Sequence, residues 1–334
     1  MIPVLAVLSC HQVVEFSSSE TCALTFLSAD ELEVTGSMEG FHGGRLLLSD
    51  GSGGLLLVTS DGFLHRLNAA DLTVDTCYAI GGSSGSGYTD GVRAGNGSLY
   101  VLGPGSLVIE VDLVSDNVVD GFVPGPDPVA IAASPVMPRL YFADGTGFIG
   151  EIWTGDNHTG NTVGLAQVPA DIMVEPLGGM HVVAAASDQQ GTIYDLWLEY
   201  SQQYARTMSV QAQSPASCIV PFGLDSCFAV GCPEWSGENG YVCFVRGYVD
   251  SVDITRVEVE GHPVDLCFNG AAGGVGRLYV MSRTEGGTTA ITVFGFTFSY
   301  LEPELVGTVF LDGFPRDLAS PGDGDELIVL TSDK

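Results

Sequence analysis

Apolar and polar residues alternate along the chain in short blocks that are typical of β-strands joined by turns. The stretch GLLLVTSDGFLHRLNAADLTVDTCYAIGG, residues 54–82, starts with a continuous apolar run and turns at Ser60-Asp61-Gly62. An alternating segment and a third strand follow before a pair of glycines. Short continuous apolar runs indicate strands buried on both faces, whereas alternation indicates one exposed face. No stretch shows a helical period, so the pattern predicts an all-β protein.

The same plan recurs along the chain. Clear copies occupy residues 98–125 and 139–169, and looser copies occupy 180–200, 226–248 and 277–298. A short strand of small residues, often after a proline, precedes each copy. The apolar second strands begin near residues 55, 98, 139, 180, 226, 277 and 326, at steps of 41 to 51 residues. Four strands at a period of roughly 40–50 residues predict a β-propeller.

The seventh copy is incomplete at the carboxyl end of the chain. Residues 315–320 and 326–334 supply its first two strands, and residues 21–40 match the second half of a unit. Joining the two ends closes the ring and leaves few unpaired strand edges. We therefore expect a seven-bladed β-propeller of four-stranded blades over residues 21–334, with the last blade closed by both termini. Residues 1–20 remain as an apolar N-terminal extension.

The second strands resemble the repeats of the YVTN-type β-propeller family. Matching segments are Leu99-Tyr100-Val101, Leu140-Tyr141-Phe142, Leu278-Tyr279-Val280, Val58-Thr59-Ser60 and Leu330-Thr331-Ser332. These short motifs extend the resemblance over residues 21–334. The resemblance implies a seven-bladed propeller, often secreted or on the cell surface. It implies no single activity, because propellers serve as enzymes, binding modules and assembly subunits.

The charge of the chain narrows the range of partners. It has 41 acidic and 11 basic residues, a net charge of −30, and Lys334 as its only lysine. Such a surface repels nucleic acid and anionic membranes, and no apolar run reaches the roughly 18 residues of a membrane span. We expect no nucleic-acid partner and no membrane span. The acidity fits an extracellular or cell-surface location, a salty habitat or loosely held cations.

The eight cysteines lack the CxxC and CxxCH spacings of zinc, iron–sulfur and c-type haem sites. Cys232 and Cys243 are the disulfide candidate, because a hairpin centred near Gly237 would place them about opposite each other. Free buried thiols are the alternative. Asn157, in the sequon Asn157-His158-Thr159, is the glycosylation candidate.

No motif defines a catalytic or metal site. The six histidines form no HExxH motif, and no GxSxG motif is present. A propeller could still gather Asp171, Glu175 and Asp317 at its central channel, as lactonase-type propellers are said to do around a metal ion. The acidic turns at residues 144–145 and 323–326 make Ca²⁺ the one cofactor candidate. We assign no catalytic residue and no metal ligand, and we favour a non-enzymatic protein.

The N-terminal extension suggests a function. No basic residue precedes Arg45, and the apolar run is short for a signal peptide. We expect residues 1–18 to add as a strand to a neighbouring copy, which makes the protein a structural subunit of a homo-oligomer or extracellular filament. The predicted assembly interface consists of Ile2, Val4, Leu5, Val7, Leu8, Val13, Val14 and Phe16. The alternatives are a cleaved or lipidated leader, a strand folded back on its own propeller, a monomeric partner- or ligand-binding propeller, and a lactonase-type hydrolase.

Overall fold

The computed structural model describes most of the chain from Glu20 onward. The described ranges are 20–28, 32–81, 87–155, 158–175, 181–199, 202–208, 211–222, 227–234, 237–247, 252–270, 276–297, 300–321 and 326–333. The eight predicted interface residues between Ile2 and Phe16, the glycosylation candidate Asn157 and the acidic turn at 323–325 lie outside these ranges.

The described residues form seven antiparallel sheets of four strands each, which are the blades of a propeller. The innermost strands of successive blades contact one another in a closed ring. Within the described ranges, the helical structure is limited to a 3-10 turn at Pro104–Ser106, and no helix there is long and apolar enough to cross a membrane. The prediction of an all-β, seven-bladed propeller is confirmed.

The strands are numbered in chain order, and each blade is given from its innermost to its outermost strand. Blades 1 and 2 contain β3 (Gly44–Ser49), β4 (Gly54–Thr59), β5 (Phe63–Asn68) and β6 (Val74–Ala79), then β7 (Asp90–Arg93), β8 (Ser98–Gly103), β9 (Leu107–Asp112) and β10 (Asn117–Phe122). Blades 3 and 4 contain β11 (Pro128–Ala133), β12 (Arg139–Asp144), β13 (Phe148–Trp153) and β14 (His158–Gly164), then β15 (Pro169–Val174), β16 (His181–Ala186), β17 (Ile193–Glu199) and β18 (Gln202–Thr207). Blades 5 and 6 contain β19 (Cys218–Pro221), β20 (Cys227–Cys232), β21 (Gly240–Arg246) and β22 (Asp253–Val259), then β23 (His262–Gly270), β24 (Gly276–Arg283), β25 (Thr289–Thr297) and β26 (Tyr300–Leu311). Blade 7 contains β27 (Phe314–Ala319), β28 (Glu326–Ser332), β1 (Thr21–Ser28) and β2 (Glu33–His42).

The core of the protein lies between adjacent blades. The second strands are buried along nearly their whole length, because a neighbouring blade covers each of their faces. Tyr100, Tyr141 and Tyr279, which occupy the same position in three blades, are among the largest fully buried side chains. One cluster joins Tyr141 of blade 3 to Leu196 of blade 4. The outer strands are far more exposed, as in β10.

Blade 7 is completed by both ends of the chain. Strand β1 pairs antiparallel with β28, from Cys22 opposite Ser332 to Ser28 opposite Glu326. Thr21 and Asp333 exchange two further hydrogen bonds, since the Thr21 amide donates to the Asp333 carboxylate and the Asp333 amide donates to the Thr21 carbonyl, each at 3.0 Å. The predicted pairing of the first strand with residues 326–332 is confirmed.

The hairpin of β20 and β21 has a different register from the predicted one. Cys232 lies opposite Tyr241, and Cys243 lies opposite Val230, because the turn is centred one residue earlier than expected. The two cysteines are therefore diagonal neighbours, with buried free thiols whose Sγ atoms are 3.9 Å apart. A disulfide requires about 2.05 Å between the sulfurs, so the two cysteines are not bonded in this structure. Their oxidation to a disulfide stays a prediction.

Candidate functional site: the mouth of the central channel

Aspartates on the innermost strands collect at one end of the central channel. Three of these strands contain the sequence Pro-x-Asp at their first or second residue, at 169–171, 263–265 and 315–317. In each, the middle residue is a bulge without a partner on the next strand. A bulge turns the following side chain in a new direction. Asp171, Asp265 and Asp317, together with Asp90 of β7, line one cavity of about 560 Å³.

Each of these aspartates ties its blade to the next one. One carboxyl oxygen of Asp90 accepts a hydrogen bond from the Ile131 amide at 2.6 Å. Asp171 accepts from the Ile219 amide at 2.8 Å, and Asp317 from the Leu47 amide at 2.6 Å. The other oxygen of all three accepts from the amide of the following residue in the same strand. Each of these three carboxyl groups therefore satisfies two backbone donors, one in its own strand and one in the next blade.

The odd number of blades forces two of these aspartates together. Four aspartates in a ring of seven equivalent positions must include at least one adjacent pair. That pair is Asp265 and Asp317, which hydrogen-bond to each other and share the Leu318 amide. A hydrogen bond between two carboxyl groups requires a proton on one of them.

The environment of the channel raises the pKa of all four aspartates above the ordinary value of an aspartate. Burial is the main cause: it raises the pKa of Asp171 to about 7 and that of Asp317 to about 6, against the backbone hydrogen bonds that favour the ionised form. Burial also raises the pKa of Asp90, with a further increase from the charge of Asp171. Burial and the neighbouring Asp317 raise the pKa of Asp265 well above its ordinary value. The side chains are surrounded by protein and still partly accessible to water inside the cavity.

A second charged group lies beside the aspartates. The Glu20 carboxylate accepts hydrogen bonds from Arg45, at 2.8 and 3.1 Å, and from Arg316. Arg45 belongs to blade 1 and Arg316 to blade 7, so the group connects the first and last blades. Burial alone would raise the pKa of Glu20, but the two guanidinium groups lower it below its ordinary value. Both arginines line the cavity and are already paired with this carboxylate.

The two cysteines that line the cavity are neutral thiols. Burial raises the pKa of Cys267 to about 12 and that of Cys218 well above its ordinary value. The thiolate is the nucleophilic form of cysteine. The cavity therefore presents no activated sulfur.

Some of the candidate residues from the sequence line the channel cavity, and others do not. It brings Asp171 and Asp317 to the channel as expected, whereas Glu175 follows the opposite end of β15 and does not line the cavity. Asp144, the first residue of a calcium candidate, already accepts bonds from the Thr146 amide and hydroxyl and from the Asp127 amide. Within the described ranges, no group of three or more His, Cys, Asp or Glu side chains is placed to hold a metal ion.

Sequence reasoning missed Asp90, Asp265, Arg45 and Glu20. The recurring Pro-x-Asp sequence was a usable signal for Asp265. Asp90 follows a threonine and lacks that signal. Glu20 directly precedes β1 of blade 7 and Arg45 belongs to blade 1, so their contact was visible only once the ring was closed.

The fold and this site define a class of protein, a seven-bladed β-propeller whose channel carboxyl groups link its blades. Among solved structures it is similar to Kuenenia stuttgartiensis hydrazine synthase, with a TM-score of 0.68 and 15% identity over 84% of this chain and 90% of that one. It is also similar to U3-55K, with a TM-score of 0.64 and 10% identity over 86% and 95% of the two chains. The WD40 repeats of RRP9 give a TM-score of 0.65 and 11% identity over 87% and 94%.

These likenesses show the propeller fold alone. No protein-family model matches the chain, and no curated protein matches it. The YVTN-type family therefore stays a prediction, and the seven-bladed fold that it implied is confirmed.

Proposed function

We propose that this protein is a non-enzymatic, extracellular or cell-surface assembly subunit that donates residues 1–18 as a strand to a neighbouring copy. The observation that carries the proposal is the completeness of the ring. All seven blades obtain their four strands from residues 21–332. The apolar residues before Glu20 are therefore not needed to fill a blade.

The channel supports a structural role for the propeller. Its aspartates are engaged with backbone amides of neighbouring blades, and its cysteines are neutral. The aspartate bonds connect neighbouring blades of the ring. The alternative of a lactonase-type hydrolase gains no support from this arrangement.

The energetics indicate what the donated strand must do. Burial of five apolar side chains contributes roughly 7–15 kcal/mol, at about 1.5–3 kcal/mol each. Ordering ten residues opposes this by roughly 10–20 kcal/mol in backbone entropy. Backbone pairing at about 0.5–1.5 kcal/mol per hydrogen bond must make up the difference. An open sheet edge provides that pairing, and head-to-tail donation builds rings or filaments.

Deletion of residues 1–18 tests the proposal. The truncated protein should stay monomeric at concentrations at which the full chain associates, as measured by light scattering and electron microscopy. The deletion removes only one acidic residue, Glu15, of the 41 in the chain, so altered charge repulsion does not explain a loss of association. Equal association of both proteins, or a full chain that is monomeric throughout, contradicts the proposal.

A further inference from the structure

Strand β26 is an unusual outer strand. It has 12 residues, the most of any strand in the described ranges, and it pairs only with β25. Three large apolar side chains of this strand are exposed, Leu305, Val306 and Phe310, to 59, 41 and 58%. Val306 lies in a bulge and has no partner on β25. Among the side chains described on the outer strands, β10 exposes two large apolar residues and β2 exposes one.

The apolar half of β26 is also uncharged. Residues 305–311, LVGTVFL, contain no ionisable side chain, whereas β10 carries Asp120 in its middle. Proteins commonly protect open edges with charges, prolines or short strands. The first half of β26 has such protection in Glu302, Pro303 and Glu304, whereas residues 305–311 have none of these residues. In a chain with a net charge of −30, this segment matches the first 14 residues, which contain no acidic side chain.

The position of β26 places it beside the blade from which the N-terminal segment leaves. A Cβ atom on Gly307 would lie 2.4 Å from Cδ1 of Leu32, so β26 fits closely against the β1–β2 turn of blade 7. Thr21, the first residue of β1, shares a surface pocket with Asp312 and Gly313, which directly follow β26. The N-terminal segment thus joins β1 near the loop that follows the carboxyl end of β26.

This geometry favours a second copy over the same chain as the source of the added strand. A segment that runs directly to Glu20 along its own β26 would end where β26 ends and would lie parallel to it. Every strand pair in the seven sheets is antiparallel, and parallel pairing is slightly less stable per residue. A strand from another molecule can approach in the antiparallel direction.

We propose that the outer edge of β26, around Leu305, Val306 and Phe310, receives residues 1–18 of a second copy as a fifth, antiparallel strand of blade 6. This inference rests on the proposed function, because it names the acceptor of the donated strand. Strand addition at an open edge gains affinity from backbone hydrogen bonds and specificity from alternate side chains.

Charge substitution on β26 gives the first test. The double variant Leu305→Lys with Phe310→Lys should lose association under conditions in which the parent assembles. The control is Val119→Lys with Val123→Lys at blade 2, where both side chains are 59% exposed and the charge change is the same. The control should associate like the parent, and circular dichroism melts should show that both variants are folded.

Cross-linking gives the second test and identifies the strand that binds. With dissolved oxygen as the oxidant and copper–phenanthroline as the catalyst, Cys10 of an unaltered donor chain should form a disulfide with Val306→Cys in an acceptor that lacks residues 1–18. The matched acceptor with Val119→Cys should give little product. Because the acceptor has no Cys10, a product that joins Cys10 to the cysteine introduced on β26 must link two molecules, and peptide mapping identifies it.

The outcomes separate this inference from the proposed function. If deletion of residues 1–18 abolishes association and the β26 lysines do not, the donated strand stands and the acceptor edge is wrong. If Cys10 reacts equally at both acceptor positions, the β26 assignment also fails. In the full-length Val306→Cys variant, a cross-link confined within one chain shows a strand folded back and overturns both.

Discussion

At the scale of single residues, the channel aspartates show how one side chain can serve two blades. The Asp171 carboxylate accepts one hydrogen bond from a backbone amide of its own strand and another from a backbone amide of β19. These bonds favour the ionised carboxylate, but burial outweighs them and raises its pKa to about 7. The native protein therefore holds this proton more tightly than the unfolded chain does, where an aspartate titrates near pH 3.9.

A specific pH dependence follows from this difference. A group with a raised folded-state pKa contributes stability that is complete below its unfolded pKa and is lost as the pH rises through the folded value. Asp171 should therefore destabilise the fold between pH 4 and 7, and Asp317, with a pKa of about 6, should act in the same direction. Asp171→Asn should flatten the fall in melting temperature between pH 4 and 7, while losing about 0.5–1.5 kcal/mol from one hydrogen bond.

Asp75→Asn is the matched control for this measurement, because it removes the same charge from an exposed side chain. Its melting temperature should keep the parental dependence on pH. Equal slopes for the parent and Asp171→Asn would show that this carboxyl group does not titrate as described.

At the scale of strands, the local sequence pattern specifies the number of blades, whereas strand register and bulges depend on tertiary contacts. The repeated apolar second strands and their spacing were enough to predict seven blades, because each blade buries the same strand between its neighbours. The register of Cys232 and Cys243 was not predictable, since a shift of one residue in the turn moves their partners by two positions. The aspartate bridges were also missed in part, because a bulge at a position such as Ala170 is visible only once the strands are paired.

Blade 3 offers a direct test of packing within a sheet. Gly150 lies opposite Phe142, and an added Cβ would be 2.2 Å from the buried ring. Gly150→Ala should therefore destabilise the protein by about 1–3 kcal/mol, the usual effect of overpacking. Gly164→Ala, in the next strand of the same blade, meets nothing within 4 Å and should be neutral or stabilising by up to about 1 kcal/mol. Urea unfolding of the two variants measures both effects, and equal stabilities would contradict this account.

At the scale of the whole molecule, closure of the ring depends on residues far apart in sequence. Cys22 and Ser332 are partners across the closing pair, and Glu20 holds an arginine from each of blades 1 and 7. These contacts join the two ends of the chain and thereby close the ring of seven blades, in which each blade contacts its two neighbours. Long loops of this kind carry an entropic penalty that increases slowly with length, so a well-packed closing strand can offset it.

Deletion of residues 21–40 should remove that closure. Without β1, strand β28 loses its partner on one side and Leu24 and Leu27, both fully buried, leave the core between blades. Burial of such side chains contributes about 1.5–3 kcal/mol each, a large share of an ordinary folding free energy of about 5–15 kcal/mol. The deleted protein should lose its cooperative thermal transition, and a separate peptide of residues 20–42 should restore it at high concentration.

The variant lacking residues 1–18 is the control and should melt like the parent, because it retains every strand of the ring. A deletion of 21–40 that melts cooperatively at the parental temperature would mean that the propeller closes without its N-terminal strands.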